Sequence, residues 1–149
     1  MSLHLITSRL FLAYVPDVET LDWAGGGRCG VYYLTYEAQT AGAVSLTSRS
    51  RGHAEIGYKI EPQFQGLGFA TEAVTAVVAC VADHHGFGLL TAEARADNAG
   101  SRRVLEKTGF TKFGSKLCWP DACGAPVTMT HYRRATARLN GAQLTGGRP

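Results

Sequence analysis

Apolar and polar residues alternate with two different periods on either side of Pro62. Before it, Ile56, Tyr58 and Ile60 alternate with Gly57, Lys59 and Glu61, the two-residue period of a strand. After it, Ala70, Val74, Val77, Val78 and Val81 recur at helical spacing. Pro62 lacks a backbone donor and ends regular pairing. The junction, Gln65-Gly66-Leu67-Gly68-Phe69-Ala70, carries two glycines that let the backbone turn tightly and come close to a ligand. The first amides of a helix have no intrahelical partner, and that end of the dipole is positive. The stretch therefore predicts an anion site, suited to phosphate or pyrophosphate.

The remaining pattern surrounds this unit. Residues 7–16 predict a first strand ending at Pro16, and Asp17 can cap a short helix through about Trp23, broken by Gly25, Gly26 and Gly27. Residues 31–37, rich in tyrosine, predict a second strand, 38–40 a turn, 42–48 a third strand and 49–53 a polar loop. The long helix ends at His84 and His85, placed favourably at its negative pole. Residues 89–96 predict another strand, and 101–108 a helix closed by Gly109. Residues 110–113 and 126–134 read as two last strands, separated by a loop with Cys118, Trp119, Pro120, Asp121 and Cys123. A run of strands followed by alternation with helices predicts an α/β or α+β class: a mixed, twisted sheet flanked by helices. One domain over residues 1–137 is expected, with 138–149 as a frayed tail.

Composition narrows the partners. With 149 residues, 45% hydrophobic and 18% charged, the chain can bury a real core. A net charge of +3 and a pI near 8.8 fall short of a nucleic-acid footprint and suit a polyanionic cofactor. The four cysteines, Cys29, Cys80, Cys118 and Cys123, lack zinc spacing or a disulfide framework, so no metal is expected; Cys80, among Val and Ala, predicts a buried thiol. The N-terminal residues do not read as a signal peptide and no apolar run approaches a membrane span, which makes the cytoplasm the default compartment.

Three phosphate-binding patterns compete for the junction. A P-loop needs Lys and Ser/Thr after its last glycine, where Phe69 and Ala70 stand. The dinucleotide fingerprint needs three spaced glycines, and only Gly66 and Gly68 are present. What remains is Gln-x-x-Gly-x-Ala, met by Gln65, Gly68 and Ala70, which resembles the acyl-CoA signature of the GNAT superfamily of N-acetyltransferases. A second block is similar to the same family: Asn98-x-x-Ser101 just after a strand, then Glu106-Lys107-Thr108-Gly109-Phe110 at a helix end. This block, and the opening Thr7-Ser8-Arg9-Leu10-Phe11-Leu12, look like the branch that acetylates ribosomal-protein N-termini.

The resemblance implies a GNAT-like sheet of about six to seven strands, splayed between two neighbouring parallel strands at the acyl-CoA cleft. It implies acetyl-CoA as co-substrate, its pantetheine along Tyr58, Lys59 and Ile60, and its pyrophosphate on the amides of Gln65, Gly66, Leu67, Gly68, Phe69 and Ala70. Asn98 would reach the pantetheine arm, Ser101 would lie near the thiol, and Arg103, like Arg102, could reach adenosine phosphates. The activity implied is acetyl transfer to a primary amine, a protein or peptide N-terminus or a small amine, by direct attack on the thioester; the alternative is a non-catalytic acyl-CoA-binding protein of the same fold. Many relatives carry a tyrosine acid where this chain has Leu105, so Ser101, a poor acid unless well placed, is the substitute, and Glu55 is the candidate base with His53 behind it. Ser101 can equally be a first-turn helix residue, and Glu55 an exposed strand residue. No nucleic acid and no membrane are expected as partners, and the protein is expected as a monomer or homodimer.

Overall fold

The computed structural model describes residues 3–19, 28–119 and 125–136. Eight strands and two helices follow in chain order: β1 (His4–Ile6), β2 (Phe11–Glu19), β3 (Arg28–Tyr36), β4 (Gln39–Ser50), β5 (His53–Ile60), α1 (Phe69–His85), β6 (Leu89–Arg95), α2 (Ala99–Lys107), β7 (Thr111–Cys118) and β8 (Val127–Ala135). The strands form one sheet in the order β1-β2-β3-β4-β5-β6-β8-β7. Every neighbouring pair is antiparallel except β5 and β6. Connectivity explains the exception: α1 carries the chain from the end of β5 back to the start of β6, as a parallel pair requires.

The core lies on one face of this sheet. Leu12, Leu34, Val44, Ile56 and Leu90 point to it, and α1 buries Val74, Val77, Val78 and Val81 against it, the positions its periodicity marks. Helix α2 adds Leu105, which is fully buried in the same cluster. Each such side chain contributes about 1.5–3 kcal/mol by leaving water.

Several boundaries differ from the sequence expectation. The sheet has eight strands because the three-residue β1, too short to show alternation, pairs with Phe11, Leu12 and Ala13. Residues 7–10 form a turn closed by Thr7 N–H on the Leu10 carbonyl at 2.9 Å, so the second strand begins at Phe11. It does not end at Pro16. Its register with β3 shifts between Val15 and Val18, and a bulge tolerates a residue without an N–H. Residues 17–19 are therefore strand, not the start of a helix capped by Asp17; the rest of that expected helix, through Trp23, and the glycines at 25–27 lie outside the described residues. The expected polar loop at 49–53 shrinks to a turn at Arg51 and Gly52, and the 38–40 turn moves to Glu37 and Ala38, both at positive φ (47° and 65°). That two-residue hairpin lacks the Asn-Gly signal by which such turns are read. β7 runs to Cys118, well past residue 113, because an edge strand with both faces largely exposed shows no alternation. Pro120, Asp121 and Cys123 in the loop, and the tail from residue 138, lie outside the described residues.

Far from the Gly66–Gly68 junction, the C-terminal end of α1 is pinned to the sheet by a half-buried polar cluster. The Tyr32 hydroxyl is 2.7 Å from His85 Nε2 and 3.4 Å from Cys80 Sγ. Tyr14 packs on both rings, 4.7 Å from Tyr32 and 4.6 Å from His85 between centroids. Gly30 makes room for it: a Cβ there would lie 1.9 Å from the Tyr14 hydroxyl. Burial, with neighbouring His84, holds the His85 imidazole below its ordinary pKa, and burial raises both the Tyr32 phenol and the Cys80 thiol. The unfolded chain therefore binds a proton at His85 before the folded one does, and stability rises with pH across that interval. The melting temperature of wild type should fall as pH drops below about 6.5, and His85→Gln should flatten that limb. Gly30→Ala should cost about 1–3 kcal/mol in urea unfolding by displacing the Tyr14 ring.

Candidate active site

The site is built where the only parallel pair among the described strands comes apart. β5 and β6 pair at His53–Leu89, Ala54–Leu90 and Glu55–Thr91, and no further. Beyond that register β6 stays with β8 through Arg95, while β5 stays with β4 through Ile60. A fork opens between them. The Glu61 N–H donates to the Ala41 carbonyl at 2.8 Å, so strand alternation turns the Ile60 N–H away from β4 and into the fork.

At the open end of the fork stands the N-terminus of α1. Gly66 and Gly68 adopt φ of +78° and +83°, a region where side chains are strained, and Gly68 is the N-cap without a side-chain cap hydrogen bond. The first helical bond is Glu72 N–H to the Gly68 carbonyl, at 3.1 Å. The amides of Phe69, Ala70 and Thr71 precede it and point out of the helix end. The turn is held on three sides. Gln65 Nε2 donates to the Ile60 carbonyl at 3.0 Å, tying it to β5. Phe64 and Phe69 pack with Tyr36 at centroid distances of 5.8 and 4.8 Å. On the outer side, Glu72 accepts from the Thr7 hydroxyl, from Arg9 N–H at 2.8 Å and from Arg9 Nε at 2.8 Å, while the Arg9 guanidinium lies 4.5 Å from the centre of the Phe69 ring. Burial alone would raise the Glu72 carboxyl, but these donors outweigh it and hold the group below the usual carboxylate range.

Helix α2 forms the opposite wall. Asn98 is its N-cap, accepting from Ser101 N–H at 3.0 Å. Ser101 Oγ is thus not needed as a cap; it lies 2.9 Å from the Tyr58 hydroxyl, which reaches across the fork from β5. Arg102 turns away and donates to the Ala96 carbonyl at 2.8 Å. Arg103 and Lys107, one helical turn apart, face the cleft, as does Lys59 from the other side. None of these three cations is ion-paired among the described residues. The cleft between the walls has a volume of about 660 Å³.

A family model described as an acetyltransferase (GNAT) domain matches residues 10–111, a span that holds both blocks and the fork. The chain belongs to the GNAT acetyltransferase family. The Bacillus subtilis (strain 168) protein YoaA, described as an uncharacterized N-acetyltransferase, is 39% identical over 93 residues, which are 62% of this chain and 52% of YoaA. The chain spans about half the length of that curated relative. Among solved structures, the ribosomal-protein α-N-acetyltransferase RimL in complex with coenzyme A superposes with a TM-score of 0.67 at 23% identity, covering 72% of this chain and 62% of RimL. The microcin self-immunity acetyltransferase MccE, in complex with acetyl-CoA and AMP, gives 0.64 at 23% identity, covering 70% and 59%. These two likenesses establish the GNAT fold.

Most of the sequence-predicted cofactor residues meet at this one cleft: Tyr58, Lys59 and Ile60 from β5, Gln65, Gly66, Gly68, Phe69 and Ala70 at the turn, and Asn98, Ser101 and Arg103 on α2. Leu67 does not line it; its side chain is 49% exposed. Glu55 stands at the closed end of the fork on the opposite sheet face, accepting from Arg49 Nε at 2.9 Å, and His53 Nε2 lies 2.9 Å from the Thr91 hydroxyl. Sequence reasoning missed Lys107 as a lining cation, although its spacing of four from Arg103 carries the signal. It also missed the Arg9–Glu72 lock, which joins segments 63 residues apart and leaves no local trace. Leu105, at the position of the usual tyrosine, is core. The residues present fit an acyl-CoA: outward-pointing amides for a pyrophosphate, an open strand edge for an amide-bearing arm, and unpaired cations for further phosphate.

Glu72→Gln should lower the melting temperature by a few degrees at pH 7 and weaken coenzyme A binding several-fold, because the glycine turn loses its outer anchor. The stability difference should be full above about pH 4.5, the unperturbed value, and vanish as wild-type Glu72 protonates in its turn at lower pH. Melting curves from pH 7 to 3 check this.

Proposed function

We propose that this GNAT protein is an acetyl-CoA-dependent N-acetyltransferase acting on a primary amine, a protein or peptide N-terminus or a small amine. The observation that carries the reading is the fork between β5 and β6, with the outward-pointing amides of α1 at its open end. When bound, acetyl-CoA supplies a thioester; attack by a neutral amine forms the C–N bond, breaks the C–S bond and gives amide and thiol.

The chain's residues have the following roles in this reading. The Phe69 and Ala70 amides, with Gly66 and Gly68 shaping the turn, hold the pyrophosphate, and Lys59, Arg103 and Lys107 supply positive charge around it. The Tyr58 to Ile60 edge pairs with the pantetheine, and the Asn98 side-chain nitrogen, left over from capping, donates to it. The Ile60 N–H, aimed into the fork, stabilises the charge that grows on the acetyl oxygen. Glu55, at the closed end, takes the proton of the attacking amine directly or through water. Ser101 donates a hydrogen bond to the sulfur as charge develops there and keeps its own proton, an alcohol being a weaker acid than a thiol; the sulfur leaves as thiolate and is protonated from the bulk solvent, into which Glu55 releases the proton taken from the amine.

The test is thermal shift and thiol release with acetyl-CoA and a panel of amines, on wild type and Gly68→Trp. Acetyl-CoA should raise the wild-type melting temperature, since it binds the folded state, and should do far less for the variant, because a side chain is strained at this positive φ and its Cβ would meet the Arg9 guanidinium at 3.4 Å, displacing the turn. The variant's own melting temperature should be lower, because φ is +83° at that position. If both proteins respond alike, the turn is not the cofactor site. Stabilisation without thiol release across all amines would mark a non-catalytic acyl-CoA binder, the outcome that the apolar Leu105 leaves open.

A further inference from the structure

Among the described residues the Tyr58 hydroxyl has two hydrogen-bond partners, and both belong to Ser101: the backbone carbonyl at 3.0 Å and Oγ at 2.9 Å. A phenol has one proton and a carbonyl can only accept. Two arrangements therefore satisfy the same heavy atoms. In one, Tyr58 donates to the carbonyl and Ser101 donates its hydroxyl to Tyr58, so that Oγ presents only lone pairs to the cleft. In the other, Tyr58 donates to Oγ, and the Ser101 hydrogen is released to point into the cleft. The carbonyl loses nothing essential in the exchange, because as a residue inside α2 it keeps its helix bond from four residues on. The two differ by rotation about two C–O bonds.

We propose that Tyr58 is the positioning residue that makes Ser101 a hydrogen-bond donor toward the fork. Three placements support the role. Both side chains line the same cleft. The phenol ring comes from β5 and the serine from the first turn of α2, so the pair spans the fork at the level of the open strand edge. And Asn98 caps the helix, which leaves the Ser101 hydroxyl no competing local task. A lone serine in a first turn turns freely among rotamers; here its oxygen is held by a rigid ring whose Cα partner on β4 is Val44, a buried core residue. Tyr58 acts through Ser101, keeps its own proton, and needs no ionisation.

This inference rests on the acetyltransferase reading, and the experiment separates the two. Tyr58→Phe, Ser101→Ala, Ser101→Thr and the Tyr58→Phe/Ser101→Ala double variant are compared by acetyl-CoA thermal shift, kcat and KM. Tyr58→Phe should retain the acetyl-CoA shift and KM but lose about tenfold in kcat. Ser101→Thr should keep most of the rate, Ser101→Ala should lose it, and the double variant should be no slower than Ser101→Ala. In ligand-free protein labelled at tyrosine Cζ, NMR titration should show the Tyr58 ionisation moving to higher pH in Ser101→Ala, because the serine bond that favours the phenolate is gone. An undiminished kcat in Tyr58→Phe, single effects that multiply in the double variant, or a Tyr58 ionisation indifferent to Ser101 would each overturn the pairing while leaving the enzyme reading intact. A wild type that is neither stabilised by acetyl-CoA nor active overturns both.

Discussion

The structure depends on a parallel pairing that stops early. Strands β5 and β6 share three residue pairs and then separate, each held by an antiparallel neighbour on its far side. Antiparallel pairs on both flanks are long and register-locked, so neither strand can follow the other across the gap. Exposed backbone donors and acceptors along β5 are the consequence. In a sheet interior such groups are normally paired, and a ligand that resembles a strand is the natural partner for the ones left over. The cleft is thus a defect in the sheet, maintained by the better pairing around it.

The glycine-turn end of the cleft depends on a different balance. A helix N-terminus attracts negative charge, and the first acidic residue of α1, Glu72, is close enough to compete with a bound phosphate for that field. Its carboxylate is instead drawn to the outer side by Thr7 and by two donors of Arg9. The competing charge is neutralised, and the same contacts brace the glycine turn from a loop that precedes it by more than fifty residues. Cations across the cleft at Arg103 and Lys107 face the amides with no acidic residue among the lining groups between them. The field in the cleft is positive from both walls.

The α2 wall separates packing from polar lining. Leu105 at the buried face of α2 contributes packing, and the hydroxyl that this wall presents to the cleft is that of Ser101, one turn earlier on the same helix. A serine hydroxyl is short, and its approach to the fork is completed by a phenol arriving from the opposite strand. The aromatic hydroxyl of the cleft is thus supplied from β5.

Local rules were enough for part of this. The change of period at Pro62, the two glycines at positive φ, the valines of α1 and the Gly109 stop are properties of neighbouring residues, and each was legible in the chain. The family blocks around Gln65 and Asn98 located most of the cleft residues for the same reason: backbone geometry at a turn and a cap is set within a few positions. Other features had no local signature. The three-residue β1, the exposed edge strand β7 and the bulge at Pro16 are held by their partners, and their own sequences do not display a strand period. Whether Ser101 was a cap or a cleft hydroxyl depended on which side chain took the helix end, and Asn98 took it. The Glu72 lock, the Tyr58–Ser101 contact and the Tyr32–His85 bond join residues 43 to 65 positions apart. Sequence determined which segments could be strand, turn or helix, because those preferences act over a few residues. Tertiary structure decided which side chains met, because hydrogen bonds between distant segments exist only once the sheet has fixed the distance between them.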